Sequence, residues 1–407
     1  MAAGRIRSPR PRRADRAERG PKEIVRPLTP AAPPRRPSDA GPRRRVRRLG
    51  ACLAVAALSA AAGVPSAGAA GAASPPVPVL AYYYIWFTPT SWNRAKVDYP
   101  LLGRYSSDDV AVMRRHIEWA KRAGITGFLV SWKSTPALDR RLEKLIQVAD
   151  EEDFTLGIVY EALDFSREPL PTERVAQDLD VFLTRYAGDR AFDILGKPLI
   201  VLGGTWRYTA RQIATLTATR RADALILASE KNEAGYRRLA RLVDGDAYYW
   251  SSVDPLTFHG YRERLASIGR TIHRTGGRWV APAAPGFDAR LVGGTRVVPR
   301  RGGATLRRQL RAALASSPDA LGLISWNEFS ENSHLEPSER NPGRSLAVLA
   351  KALGARPFDG WPIRATGEPA ATLTGTGRAS YGGRRPGWLH ARDRVAPRPS
   401  RWEQRTL

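Results

Sequence analysis

The stretch Ser107-Asp-Asp-Val-Ala-Val-Met-Arg-Arg-His-Ile-Glu-Trp-Ala-Lys-Arg-Ala-Gly124-Ile-Thr-Gly-Phe-Leu-Val-Ser-Trp132 holds one helix–strand unit, and the repetition of that unit decides the fold. Val110, Met113, Ile117 and Ala120 step by three, four and three residues, the spacing of a single buried helical face. Ser107-Asp108 offer N-caps before this face, and Gly124 offers a stop after it. Residues 125–131 then form a largely apolar run of strand length, ending at Trp132-Lys133.

Outward from this unit, the same rhythm runs from about residue 75 to 356. Apolar runs fall at residues 79–87, 125–131, 155–160, 198–202, 224–229, 247–251, 279–283 and 321–326. They lack strict in/out alternation and read as parallel strands buried on both faces. Helical periodicity fills the gaps, clearly in Leu138, Leu142, Leu145, Ile146 and Ala149, in Val175, Leu179, Phe182, Leu183 and Tyr186, and in Leu346, Leu349 and Leu353. Weaker versions occupy residues 210–217, 234–242, 261–273 and 305–315. Eight strand–helix units predict a single (β/α)8 barrel domain, residues 75–356. An open doubly wound sheet accommodates eight units less naturally, and no glycine-rich phosphate loop follows the first run.

The flanks differ in kind. Of the formal net charge of +26, residues 1–48 carry +12 and residues 364–407 carry +6. The basicity therefore belongs mainly to Arg/Pro-rich tails, 1–45 and 357–407, which read as disordered, and no nucleic-acid partner is expected. Residues 46–73 follow the order of a secretory signal: Arg47-Arg48, an Ala-rich apolar core, then Ala67-Gly-Ala69 and Ala70-Gly-Ala72. The core falls short of a spanning helix, with a signal anchor as the alternative and the membrane met only if the segment is uncleaved. Translation from Val46 would give a compact signal. The expected product is secreted or associated with the cell envelope, and monomeric. Cys52 alone excludes an intrachain disulfide framework.

In such a barrel the chemistry gathers at the C-terminal strand ends. Read in order, those ends bring Tyr82, Tyr84 and Trp86, then Trp132, then Glu161, then Trp206, Glu230, Tyr249 with Trp250, Asp288, and finally Trp326-Asn327-Glu328. Aromatic faces and carboxylates in this number suit sugar rings and their hydroxyls, so the expected partner is an oligo- or polysaccharide. Past the last strand Glu328, Glu331 and Glu336 crowd into nine positions, and paired carboxylates are what glycoside cleavage requires. Neither metal nor cofactor is expected. The five histidines include no His-Glu-x-x-His, and there is no Gly-x-Ser-x-Gly elbow and no dinucleotide fingerprint. The alternative is a non-catalytic glycan-binding or envelope protein on the same barrel.

Asn327-Glu-Phe-Ser-Glu-Asn-Ser-His-Leu-Glu336 resembles the Asn-Glu-Trp-His-Glu-Gly-Thr-x-Ile-Glu motif of glycoside hydrolase family 99, the endo-α-mannosidases. It keeps the Asn, the three glutamates and the aliphatic, and departs at Phe329-Ser330 and Asn332-Ser333. Tyr82-Tyr-Tyr-Ile-Trp86, residues 105–108, 123–132 and 196–198, and Pro285-Gly-Phe-Asp288 are similar in the same order. The resemblance implies retaining hydrolysis of an α-linked glycan. Glu328 would assist the sugar's own 2-hydroxyl, which attacks the anomeric carbon, and Glu331 would serve as acid and then base. His334 and Glu336 join Tyr82, Tyr84, Trp86, Trp132, Glu161, Tyr249, Trp250, Trp326 and Asn327 as expected substrate contacts. Relatives labelled as glycosyltransferases share this barrel, but no sugar-nucleotide phosphate site is visible in the chain.

Overall fold

The helix predicted after Ser107 runs from Val110 to Arg122 as α1. Its cap is Asp109, one residue later than expected, whose carboxylate accepts the N–H groups of Ala111 and Val112. Lys121 and Arg122 close the last turn, where positive charge complements the helix dipole. Met113, His116, Ile117 and Ala120 face inward, and the chain turns directly into the strand Gly127–Trp132. The computed structural model describes residues 77–164 and 166–355. The expected signal at 46–73 and the tails at 1–45 and 357–407 lie outside the described residues.

Eight strands close a parallel barrel: β1 (Val79–Tyr84), β2 (Gly127–Trp132), β3 (Thr155–Glu161), β4 (Leu199–Gly203), β5 (Leu225–Ala228), β6 (Gly245–Ala247), β7 (Arg278–Ala283) and β8 (Ala320–Leu323). Each strand pairs with its sequence neighbours, and β1 pairs with β8 through Val79 opposite Leu321. The helices are α1, α2 (Pro136–Glu151), α3 (Thr172–Arg185), α4 (Ala210–Thr217), α5 (Glu233–Leu239), α6 (Tyr261–His273), α7 (Ala304–Leu314) and α8 (Arg344–Leu353). The chain therefore adopts the (β/α)8 barrel expected from its periodicity.

Strand alternation sorts the core into two layers. Along β1, Leu80 and Tyr82 pack inside the barrel with Leu129, Val159, Val201, Leu227 and Val280. Val79, Ala81 and Tyr83 point outward into the larger layer beneath the helices. Most strands are thus apolar on both faces, which is why the sequence runs do not alternate, and β6 departs from this with the buried Asp246. Three strands end three or four residues earlier than the runs implied. Residues 85–87 lie past β1, 248–251 past β6 and 324–326 past β8, and in all three places the chain bends away into a loop while remaining mostly buried. A short antiparallel ribbon, Phe287–Asp288 with Val297–Val298, stands between β7 and α7.

Candidate active site

A cavity of about 330 Å³ opens at the C-terminal end of the barrel. Tyr82, Tyr84, Glu161, Tyr249, Glu328 and Glu331 line it, along with Trp206 and Glu230. Strand ends from six different places in the chain therefore meet around one space.

Glu328 and Glu331 come from the loop after β8. Its entrance is fixed from both sides. The Trp326 N–H donates to the Tyr82 carbonyl at 2.7 Å. The Asn327 side chain accepts from the Tyr84 N–H and donates to the Tyr84 carbonyl, both at 2.9 Å. The Glu328 N–H donates to Ser325 Oγ at 2.8 Å, and its Oε1 accepts the Ser330 N–H at 2.8 Å. Glu331 is half-buried, and its carbonyl accepts the Asp288 N–H at 2.7 Å, which ties the loop to the ribbon.

Beyond Glu331 the buried Arg300 guanidinium grips the chain. It donates to the carbonyls of Asn332 at 3.0 Å and His334 at 2.8 Å. Asn332 has φ near 49°, a left-handed turn that asparagine tolerates better than most residues. Gly286 makes room for the grip, because a Cβ there would lie 2.7 Å from Arg300 Cγ.

The two carboxyls sit in different electrostatic surroundings. Burial pushes the Glu328 pKa above the ordinary carboxylate value, while the Ser330 N–H and the nearby Lys96 pull it back. Burial pushes Glu331 up to about 8, the charge of Glu328 adds to the rise, and Arg167 opposes it. Two like charges in a shared, poorly solvated space cannot both form cheaply, so Glu328 ionises first and Glu331 keeps its proton. Glu161 is also raised by burial, with Ser131 Oγ donating to its Oε1 at 2.7 Å. The Tyr84 and Tyr249 hydroxyls pair at 2.8 Å, and burial raises both well above the usual phenol value.

Several residues expected to touch substrate stand elsewhere. Ser131 faces the cavity, so the next residue, Trp132, points to the helix layer. There it is fully buried, and its indole N–H donates to Asp139 at 3.0 Å. Trp250 likewise follows the cavity-lining Tyr249 and stacks on Tyr261, 4.5 Å between ring centres. Trp326 is buried beside Phe128 and His116. Asn327 is occupied by the Tyr84 backbone. His334 lies buried against Asp98 and Ser338, its imidazole held down to about 4 by burial and by Arg300. Glu336 is buried where Tyr105 donates to it at 2.9 Å and the His116 ring lies 3.1 Å away. Trp86 stacks behind Tyr84 at 4.3 Å and lies outside the cavity lining. These side chains support the loops that carry the cavity.

Sequence reasoning missed four charged residues. Asp164, Arg167 and Lys231 line the cavity, and Lys96 acts on Glu328 from nearby. Asp164, Arg167 and Lys231 lie in loops after strand ends, where no periodicity marks them. Glu230 was visible at its strand end and proves to be ion-paired with Arg238 at 2.9 Å.

The fold has close counterparts among solved structures. The barrel is similar to that of a GH99 endo-α-mannosidase. Two structures of that enzyme from Bacteroides thetaiotaomicron, one in complex with BIS-TRIS-propane, superimpose with TM-scores of 0.59 at 18% identity. Each alignment covers 68% of this chain, and 96% or 95% of the other. A glycoside hydrolase-like protein matches with a TM-score of 0.54 at 13% identity, over 69% of this chain and 94% of its own. No family model and no curated protein matches the sequence. At such identities the likeness is one of fold, a glycoside hydrolase-like barrel.

Arg300→Met should lower stability by about 2–3 kcal/mol, since two buried carbonyls lose a charged donor, and Arg300→Lys should restore less than half; urea unfolding of both variants measures this. A second expectation concerns pH. Both carboxyls have folded pKa values raised above the unfolded ones, so the folded chain binds more protons in between, and stability falls as pH rises through that window. Glu331→Gln should therefore have a higher Tm than the wild type at pH 8 and an equal Tm at pH 4; equal values at pH 8 would refute the buried like-charge pair.

Proposed function

We propose that this protein hydrolyses an α-linked glycan with retention of configuration, using Glu328 and Glu331. The observation that carries this reading is that both carboxyls open into one cavity while their surroundings drive their protonation states apart. A charged carboxylate beside a protonated one is the starting state that two-step glycoside cleavage needs.

In the first step, ionised Glu328 takes the proton of the sugar 2-hydroxyl, and that oxygen attacks the anomeric carbon. The glycosidic bond breaks, and Glu331 gives its proton to the leaving oxygen. A 1,2-anhydro sugar remains, with Glu328 protonated and Glu331 ionised. In the second step, Glu331 takes a proton from water as the water oxygen attacks the anomeric carbon. The bond from O2 to that carbon breaks, and Glu328 returns its proton to O2. Each step inverts the centre, so the product retains the starting configuration, and both carboxyls end as they began.

The surroundings support this division of labour. The Ser330 N–H and Lys96 favour negative charge on Glu328, as a base requires. The Glu328 charge and the poor solvation of Glu331 favour a held proton, as an acid at neutral pH requires. The hydroxyl pair of Tyr84 and Tyr249 supplies polar contacts in the same space. The likeness to an endo-α-mannosidase makes α-mannans the first substrates to try.

The test is release of new reducing ends from α-mannans, α-glucans and envelope polysaccharides. Glu328→Gln and Glu331→Gln should each lower turnover by about 10²–10⁴-fold with the fold intact. Full activity in either variant would remove that residue from the mechanism. The kcat/KM profile should be bell-shaped, falling on the alkaline side as Glu331 loses its proton and on the acid side as Glu328 gains one. Glu331→Gln should abolish the alkaline limb of whatever activity remains.

A further inference from the structure

Resting on the glycosidase reading above, we propose that the glycan is acidic. It carries a carboxylate or phosphate group that binds at the corner of the cleft formed by Arg167, Lys231 and Trp206. A second cavity, of about 260 Å³, lies beside the first and shares these three residues with it. Ser166, Glu168 and Arg207 complete its lining.

The charges of this corner do not balance. Arg207 is ion-paired with Glu168. Lys231 Nζ lies 3.9 Å from the centre of the Trp206 ring, and among the described residues it meets no carboxylate within ion-pair distance. The same holds for the Arg167 guanidinium. Of the other carboxylates of the main cavity, Glu230 is ion-paired with Arg238, Glu161 accepts from Ser131, and Asp164 accepts the N–H groups of Ser166 and Glu168, while Glu328 and Glu331 face one another and Arg167 acts on Glu331 from a distance. The second cavity thus holds two cations, Arg167 and Lys231, that no direct ion pair answers among the described residues, beside one pair, Arg207 with Glu168, that is balanced.

The loop is also built to present Arg167. Its backbone lies at φ near 61°, a left-handed conformation that a side chain other than glycine adopts at a cost. Asp164 holds it there, with its carbonyl accepting the Arg167 N–H at 3.1 Å and its carboxylate accepting both neighbouring amides. A neutral glycan offers only hydroxyls to this corner. A sugar acid offers a planar or tetrahedral anion to the guanidinium fork, a second contact to the ammonium, and a ring to the exposed Trp206 face. The anion would also offset Arg167, which otherwise draws the proton off Glu331.

Tryptophan fluorescence and calorimetric titration of the full chain with D-mannose, D-mannose 6-phosphate, D-glucuronic acid and inorganic phosphate test this. At least one sugar acid should bind about tenfold or more tightly than mannose, and raised salt should erase the advantage. Preference for the phosphate or for the uronic acid identifies the anion. The Arg167→Gln/Lys231→Gln double variant, altered only at exposed side chains, should keep the wild-type Tm and lose the preference. Mannose binding as tightly as both sugar acids overturns the proposal, as does inorganic phosphate matching mannose 6-phosphate, a double variant that keeps its preference, or no binding by any of the four. Binding is read without turnover. A glycan panel that yields no reducing ends therefore defeats hydrolysis alone, and a lost acid preference leaves the hydrolysis result untouched.

Discussion

The clasp between Asn327 and the backbone of Tyr84 is the contact on which the site depends. It joins the last strand to the first at the mouth of the barrel, through a donor and an acceptor of one buried amide. On one side it fixes Tyr84, whose hydroxyl meets Tyr249 from the loop after the sixth strand. On the other it fixes the residue next in sequence, Glu328. An unpaired backbone amide and carbonyl at this depth would each be costly, and a side chain with one donor group and one acceptor answers both. Aspartate could accept but not donate, so the residue type follows from the geometry.

Around that clasp, buried polar groups are arranged in an outer ring that never reaches the cavity. Glu336, His116, Tyr83 and Tyr105 form one chain of contacts, and His334, Asp98, Ser338 and Asn341 form another. The first passes behind the start of the loop and the second behind its end. Asp98 is held below the usual carboxylate range by His334, Ser338 and the Arg340 N–H, although burial alone would raise it. With Arg300, these networks hold the Glu328–Glu331 segment so that its own carboxyls need no strong partners. The arrangement leaves two poorly solvated acids in the lining of the cavity.

The barrel was legible because its signals are local. Periodicity in α1, Gly124 after it and the run into Trp132 each state a piece of structure within a few residues, and eight repetitions leave few topologies. The carboxyl pair was legible for a similar reason, since Glu328 and Glu331 are neighbours in sequence at one strand end. The side-chain directions were less so. Trp132 and Ser131 differ by one position, and a strand turns that difference into opposite faces. The composition of a strand end cannot tell which face each residue takes until the strand's last residue is known. Arg167 and Lys231 were invisible for another reason: each sits in an aperiodic loop, and only closure of the barrel brings them beside Trp206.

The same distinction governs how the departures at Phe329-Ser330 and Asn332-Ser333 should be read. Phe329 is fully buried, stacked on the His334 ring at 4.1 Å and edge-on to Trp92. Ser333 is buried as well, and its N–H donates to the Glu328 carbonyl. Ser330 supports Glu328 through its backbone N–H, which any residue but proline supplies, and through its hydroxyl side chain as well. Changes at Phe329 and Ser333 therefore alter how the loop packs against the aromatic cluster behind it more than the lining of the cavity, whereas a change at Ser330 also alters the support of Glu328. The loops after the third, fourth and fifth strands contribute Asp164, Arg167, Trp206 and Lys231 to the cavity lining. Among the described residues no backbone hydrogen bond joins the loop after β8 to those residues, so that side of the cavity can vary without disturbing the backbone that carries Glu328 and Glu331.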